Sequence, residues 1–138
     1  MTYRLDMSPD QAEVDRVVPL LIAELSGALS EDRLMSVEIA MAEALTNAVK
    51  HALASGTPDV IHVSAQSDAT QVRLEIVDAG AQSPQDLYQD VAELGDIDPM
   101  NDSGRGLSLI SHLADEVVFN PAHGKNQLIL IFNRDSIA

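Results

Sequence analysis

The chain has 138 residues, of which 46% are hydrophobic and 22% charged, with a net charge of −14. These values suit a single domain with one core and argue against disorder. The negative charge and an aromatic content of 3% speak against nucleic acid as a partner, and the absence of cysteine excludes disulfides and thiolate metal sites.

The segment Met1 to Asp6 has no apolar h-region, and no apolar run reaches membrane-spanning length, so neither a secretory leader nor a membrane segment is expected and the cytoplasm is the expected location. Residues 2–7 read as a short strand. Pro9-Asp10 opens a helix to about Leu25, which Gly27 breaks. Ser30 or Asp32 caps a second helix to about Leu53, which stops before Ser55-Gly56-Thr57-Pro58. Residues 59–66 and 71–78 alternate in polarity as strands joined by an Asp68-Ala69-Thr70 turn. Residues 79–103 carry Gly80, Pro84, Gly95, Pro99 and the acids Asp86, Asp90, Glu93, Asp96, Asp98 and Asp102 with no Lys or Arg, and read as a functional loop. A helix from about Gly106 to Ala114 and strands near 116–120 and 127–133 complete the chain. The order β-α-α-β-β-loop-α-β-β implies an α/β fold: a two-layer sandwich with helices on one face of a mixed, mostly antiparallel sheet.

The second helix carries the first chemical signal. At 100° per residue, Leu34, Val37, Met41, Leu45, Ala48 and Ala52 form one apolar face, and Ile39, Ala42, Val49 and Leu53 an adjoining one. Glu43, Asn47 and His51 follow each other at i, i+4 on the remaining face, flanked by the small Ser36, Ala40 and Ala44. Such a stripe suits a closely approaching ligand, and spacing alone equally fits a solvated face. Glu38 falls within the apolar arc without an account, and Lys50 reads as either a solvated charge or a phosphate neighbour. Asp78-Ala79-Gly80, at a strand end, can aim a carboxylate at an amine or simply turn the chain. Gly104-Arg105-Gly106-Leu107 opens a helix, where free N–H groups favour phosphate. His62, His112 and His123 have no metal-ligand spacing, and the methionines read as core filler.

Taken in order, the segments Glu43-Ala44-Leu45-Thr46-Asn47-Ala48-Val49-Lys50-His51-Ala52, Asp78-Ala79-Gly80 and Gly104-Arg105-Gly106-Leu107-Ser108-Leu109-Ile110 resemble the N, G1 and G2 boxes of the Bergerat-fold ATPases. The chain is most similar to their anti-sigma-factor serine/threonine kinase branch, over roughly residues 10–133. The resemblance implies a single histidine-kinase-like ATPase domain over 1–138 with a lid at about 82–103. It implies ATP and Mg²⁺ as cofactors, with Glu43 as catalytic base and Asn47 as the Mg²⁺ ligand. His51, Asp78, Gly80, Gly104, Arg105, Gly106 and Leu107 would bind nucleotide, Asp78 at the adenine amine. It further implies a cytoplasmic transferase in transcription regulation, a likeness to homodimers that bind a sigma factor and phosphorylate a Ser or Thr of an anti-sigma antagonist. Gln82 stands at the second glycine of the usual D-x-G-x-G, and Lys125-Asn126 follows Gly124 where Thr is usual. Those departures and the acidic lid leave a non-catalytic binding module with a degenerate nucleotide site as the alternative.

Overall fold

The computed structural model describes residues 2–54, 60–78, 109–122 and 125–134. Strand β1 (Thr2–Met7) leads into helices α1 (Gln11–Leu25) and α2 (Glu31–Ala54), followed by β2 (Ile61–Ser67) and β3 (Gln71–Asp78). A short helix α3, described over 109–113, precedes β4 (Glu116–Ala122) and β5 (Lys125–Asn133). The strands form one sheet in the order β1-β2-β3-β5-β4, antiparallel at every described pair. This is the expected two-layer α/β sandwich, with antiparallel pairing extended to the whole described sheet. No helix among the described residues is long and apolar enough to cross a membrane.

Alternation decides which face of the sheet is covered. In β3, Val72, Leu74, Ile76 and Asp78 are buried, while Gln71, Arg73, Glu75 and Val77 are half-exposed. Across the ladder Val72 pairs with Phe132, Leu74 with Leu130 and Ile76 with Leu128, giving consecutive apolar rows beneath the helices. The opposite face is polar at Arg4, Asp6, His62 and Gln66. There His62 Nδ1 lies 2.7 Å from Asp6 Oδ1, so His62 has a structural neighbour on the sheet surface.

α1 starts at Asp10, whose carboxylate accepts from Ala12 N at 3.0 Å, and buries Val14, Val17, Val18, Leu21 and Leu25. Of the two candidate caps for α2, Ser30 performs the role: its hydroxyl accepts from Arg33 N at 3.3 Å. Glu31 and Asp32 then occupy the first turn, where negative charge suits the helix dipole. α2 buries Val37, Ala40, Met41, Ala44, Leu45, Ala48, Val49 and Ala52. Here the structure departs from the face drawn by periodicity. Ile39 and Leu53 are 41% and 56% exposed, whereas Ala40 and Ala44, expected beside the polar stripe, are buried. Alanine lets the helix backbone approach the sheet, so the contact arc turns towards the small residues and away from the bulky ones. Glu38, next to Ile39, is exposed for the same reason. Met7 and Met41 fill the core, but Met35 is 61% exposed.

Two side chains stitch the ends. Asp115 Oδ2 accepts from Arg33 Nη1 at 2.8 Å and from Asn133 N at 2.7 Å, joining the start of α2 to the end of β5. Asp68 closes the β2–β3 turn by accepting from Thr70 N at 2.7 Å, Gln71 N at 2.9 Å and Thr70 Oγ1 at 3.0 Å. The Thr70 amide, then the Gln71 amide and the Thr70 hydroxyl, hold the Asp68 carboxyl below the ordinary carboxylate range.

Two measurements test this account. Phe132→Ala removes a fully buried ring and is expected to cost about 3–5 kcal/mol by urea unfolding. Because the folded Asp68 carboxyl ionises more readily than the unfolded one, its contribution is complete above a pH of about 4 and is lost as pH falls through the lowered folded value. Asp68→Asn is therefore expected to be less stable than the parent chain at pH 7, with the gap closing below a pH of about 4. Equal urea midpoints at both pH values would rule out the turn as the source.

Candidate functional site

Helical spacing places Glu43, Asn47 and His51 on one ridge of α2, directly beside the buried ridge Ala44, Ala48 and Ala52. Glu43 is half-buried at the margin of the core. Asn47 is drawn further in, at 9% exposure, and its Nδ2 is buried with no hydrogen-bond partner among the described residues. Thr46, between them, takes no part in this ridge: its hydroxyl accepts from Gln11 Nε2 at 3.2 Å and so ties α2 to α1. The backbone of His51 is helical. Lys50 is exposed.

The second component lies at one end of the sheet. Asp78 is the last residue of β3 and is 5% exposed. Its register partner on β5 is Asn126, 4% exposed, whose Nδ2 donates to Asp78 Oδ1 at 2.9 Å. The rows behind this pair are apolar, so Asp78 and Asn126 form a polar rim on the buried face. β2 begins at Ile61 beside that same end of β3, and α2, which packs over β3, feeds into β2.

Among the described residues the buried polar side chains are Asn47, Asp78 and Asn126. A core that is otherwise apolar thus keeps its polar groups at the positions singled out by the motifs, plus one more. Asn126 was noticed in the sequence only as a departure after Gly124. The available signal was its phase: Asn126, Leu128, Leu130 and Phe132 share a face, so the polar residue had to be buried. Gly80, Gly104, Arg105, Gly106, Leu107 and the 82–103 lid lie outside the described residues, as does His123. His112 is exposed.

Chemically, the ridge on α2 offers a carboxylate and an amide, both oxygen donors suited to a hard cation, and an amide N–H with nothing to bond. The sheet end offers a desolvated carboxylate, an acceptor for an amine hydrogen. An orphaned amide N–H, which can donate to an anionic oxygen, and a buried carboxylate, which can accept from an amine, fit a polar ligand that offers both.

The family model described as the histidine kinase-like ATPase domain matches residues 7–132. The serine-protein kinase RsbW of Bacillus licheniformis is 31% identical over 118 residues, covering 80% of this chain and 73% of the relative. Among solved structures, that of the RsbU and RsbW domains of Rv1364c from Mycobacterium tuberculosis superposes with a TM-score of 0.70 at 18% identity, covering 99% of this chain and 34% of that one. This chain therefore spans about a third of that longer protein's length. The catalytic domain of the histidine kinase ThkA matches with a TM-score of 0.57 at 14% identity over 96% of both chains. At these identities the structures speak for the fold.

An unbonded buried amide costs stability, about 1–3 kcal/mol. Asn47→Leu, of similar volume and without polar atoms, is expected to keep or raise the melting temperature. A variant that unfolds several degrees below the parent chain would show that the Asn47 amide is satisfied in solution.

Proposed function

This chain belongs to the histidine kinase-like ATPase domain family, in its anti-sigma-factor serine/threonine kinase branch, and from that premise we propose that it is an ATP-dependent protein kinase whose nucleotide site lies between the α2 ridge and the Asp78 end of the sheet. The observation that carries this reading is Asn47: a buried, unbonded amide one helical turn from a half-buried carboxylate is what remains when a ligand's place is kept in the fold.

On this reading Asn47 holds Mg²⁺ through its amide oxygen, and Asp78 accepts from the adenine amine. Bound Mg²⁺ neutralises phosphate charge, and it commonly takes only one or two protein oxygens, the rest being phosphate and water. The acceptor is a Ser or Thr hydroxyl of an anti-sigma antagonist. Its oxygen forms a bond to the terminal phosphorus, the bridging oxygen departs with ADP, and Glu43 takes the hydroxyl proton. A carboxylate at the edge of the core can meet such a hydroxyl while still reaching water to return the proton. His51, Gly80, Gly104, Arg105, Gly106 and Leu107 complete the nucleotide contacts in this proposal, with 82–103 as lid.

Partner binding belongs to the same proposal: a sigma factor and the antagonist on overlapping surfaces of a cytoplasmic homodimer. The net charge of −14 favours basic partner surfaces and faster encounter at low salt. Gln82 at the second glycine position favours a second reading, a binding module without transfer activity.

Calorimetry separates these outcomes. ATP is expected to bind with an affinity that rises with Mg²⁺, and absence of ATP and ADP binding at millimolar concentration would leave only the binding module. Glu43→Ala is expected to bind ATP as the parent does and to lose about 10²–10⁴-fold in phosphoryl transfer to a cognate antagonist. Undiminished transfer would remove Glu43 from the role of base.

A further inference from the structure

We propose that Met35 and Ile39 are the docking site for the phosphate acceptor. They form an apolar anchor that takes an extended Ser- or Thr-bearing segment with apolar residues at alternate positions and a basic residue beyond them. The inference rests on the kinase reading above and deepens it, from the transfer site to the surface that selects the acceptor.

The ridge that carries Glu43 and Asn47 does not begin at Glu43. Followed back along α2 in steps of four it reads Asn47, Glu43, Ile39, Met35 and Glu31, so Ile39 is the surface neighbour of the proposed base. Exposure climbs along it, from 9% at Asn47 to 41% at Ile39 and 61% at Met35. At the rise of a helix, Ile39 and Met35 stand about 6 and 12 Å from Glu43. Neither belongs to the core. An exposed helix position is served better by Glu, Lys or Gln than by Ile, whose branched side chain loses rotamer freedom there. Single exposed apolar residues are ordinary, but this adjoining pair leads up to a half-buried carboxylate.

Charge says what covers the pair. The helix-surface neighbours of Met35, three and four residues to either side, are Glu31, Asp32, Glu38 and Ile39, and the three acids are exposed. The nearby base, Arg33, is turned to Asp115, with Nη1 at 2.8 Å from Oδ2. An apolar side chain seated there is ringed by negative charge, so its own chain gains from carrying Lys or Arg close by. A second copy of this chain, at a net charge of −14, is a poor occupant for the same reason.

Spacing gives the form of the occupant. Side chains on one face of an extended segment repeat at about 6.6–7 Å, close to the step of the ridge. A segment whose hydroxyl meets Glu43 therefore sets its second residue from the hydroxyl on Ile39 and its fourth on Met35. Its sixth then faces Glu31 and Asp32, where a basic side chain is favoured. The ridge is thus a template of acid, two apolar residues and base, read by an acceptor of matching pattern.

Two fluorescent peptides test this. Each carries leucine at the second and fourth places from a serine, lysine at the sixth and alanine elsewhere, one with the pattern before the serine and one after it. Anisotropy with Mg²⁺ and ADP is expected to show one of them binding the parent chain. The double variant Met35→Gln, Ile39→Gln is expected to bind it about tenfold or more weakly and to keep the parent's melting temperature, since glutamine suits an exposed helix. Leu20→Gln removes an apolar side chain from α1 that is as exposed as Ile39, and is expected to change nothing. Glutamate in place of the peptide lysine is expected to abolish binding. With ATP, the serine oxygen bonds to the terminal phosphorus, ADP departs and Glu43 takes the proton, and the double variant is expected to raise KM for the peptide about tenfold with kcat kept. Should the double variant unfold, Met35→Gln alone is read in its place.

A parent chain that transfers phosphate to neither peptide nor to a cognate antagonist overturns the kinase reading and this inference together. Several results overturn this inference alone: a parent active on the antagonist that fails to bind or phosphorylate either peptide, a folded double variant with the parent's affinity, or an equal loss in Leu20→Gln. A glutamate peptide that binds as well, or a kcat that falls while KM stays, does the same.

Discussion

How closely α2 approaches the sheet sets everything else at the candidate site, and alanine sets that approach. Ala40, Ala44, Ala48 and Ala52 recur every four residues and are each at most 2% exposed. A ridge of i±4 methyl groups lets a helix lie flatter on its neighbour than any ridge of Leu or Ile allows. Glu43, Asn47 and His51 form the next ridge round, each one residue before an alanine. The depth of the alanine ridge therefore fixes the depth of the polar one. Larger side chains at 44 or 48 would lift the helix and carry Asn47 out into water, where its amide would cost nothing and could discriminate nothing.

That placement has a thermodynamic consequence. A small domain is stable by about 5–15 kcal/mol in total, and an unbonded buried amide forfeits about 1–3 of it. The apolar rows between β3 and β5, closed by Phe132, Leu130 and Leu128, and the α1 face of Val17, Leu21 and Leu25 supply the stability that tolerates such a cost. At the sheet end the problem is solved differently, since Asp78 is desolvated but receives a hydrogen bond from Asn126. The two groups of polar atoms are thus held out of water by opposite means, one left unbonded among the described residues and one braced by the protein.

Much of this was legible in the sequence. Period-two alternation located β2 and β3, because half-buried antiparallel strands must alternate, and β1 and β3 have the ends expected for them. β5 begins earlier than expected, at Lys125, since a polar start looks like turn until its ladder partner is known. The buried arc of α2 was misjudged at Ile39 and Leu53 because periodicity weighs hydrophobicity and ignores size. A helix against a sheet selects small residues at the contact. Glu43, Asn47 and Asp78 stood out through order and spacing, whereas the orphaning of the Asn47 amide and the pairing of Asp78 are tertiary facts. No spacing along the chain encodes a contact between residues 48 positions apart.

The departure after Gly124 illustrates how such a contact changes the meaning of a sequence. Lys125-Asn126 in place of the usual threonine argued for a degenerate site when only the chain was in view. In the fold, position 126 is the ladder partner of Asp78, so whatever stands there must face a buried carboxylate. A side chain without a donor would leave that carboxylate unbraced from β5, and an acid would repel it. Asparagine provides the donor and the reach. A decaying site has no reason to keep a buried acid and a matching amide in register, because an apolar pair at the same positions would be at least as stable. The substitution at 126 is thus weaker support for lost nucleotide binding than the sequence alone made it. The case for a degenerate site then rests on Gln82 and the acidic lid.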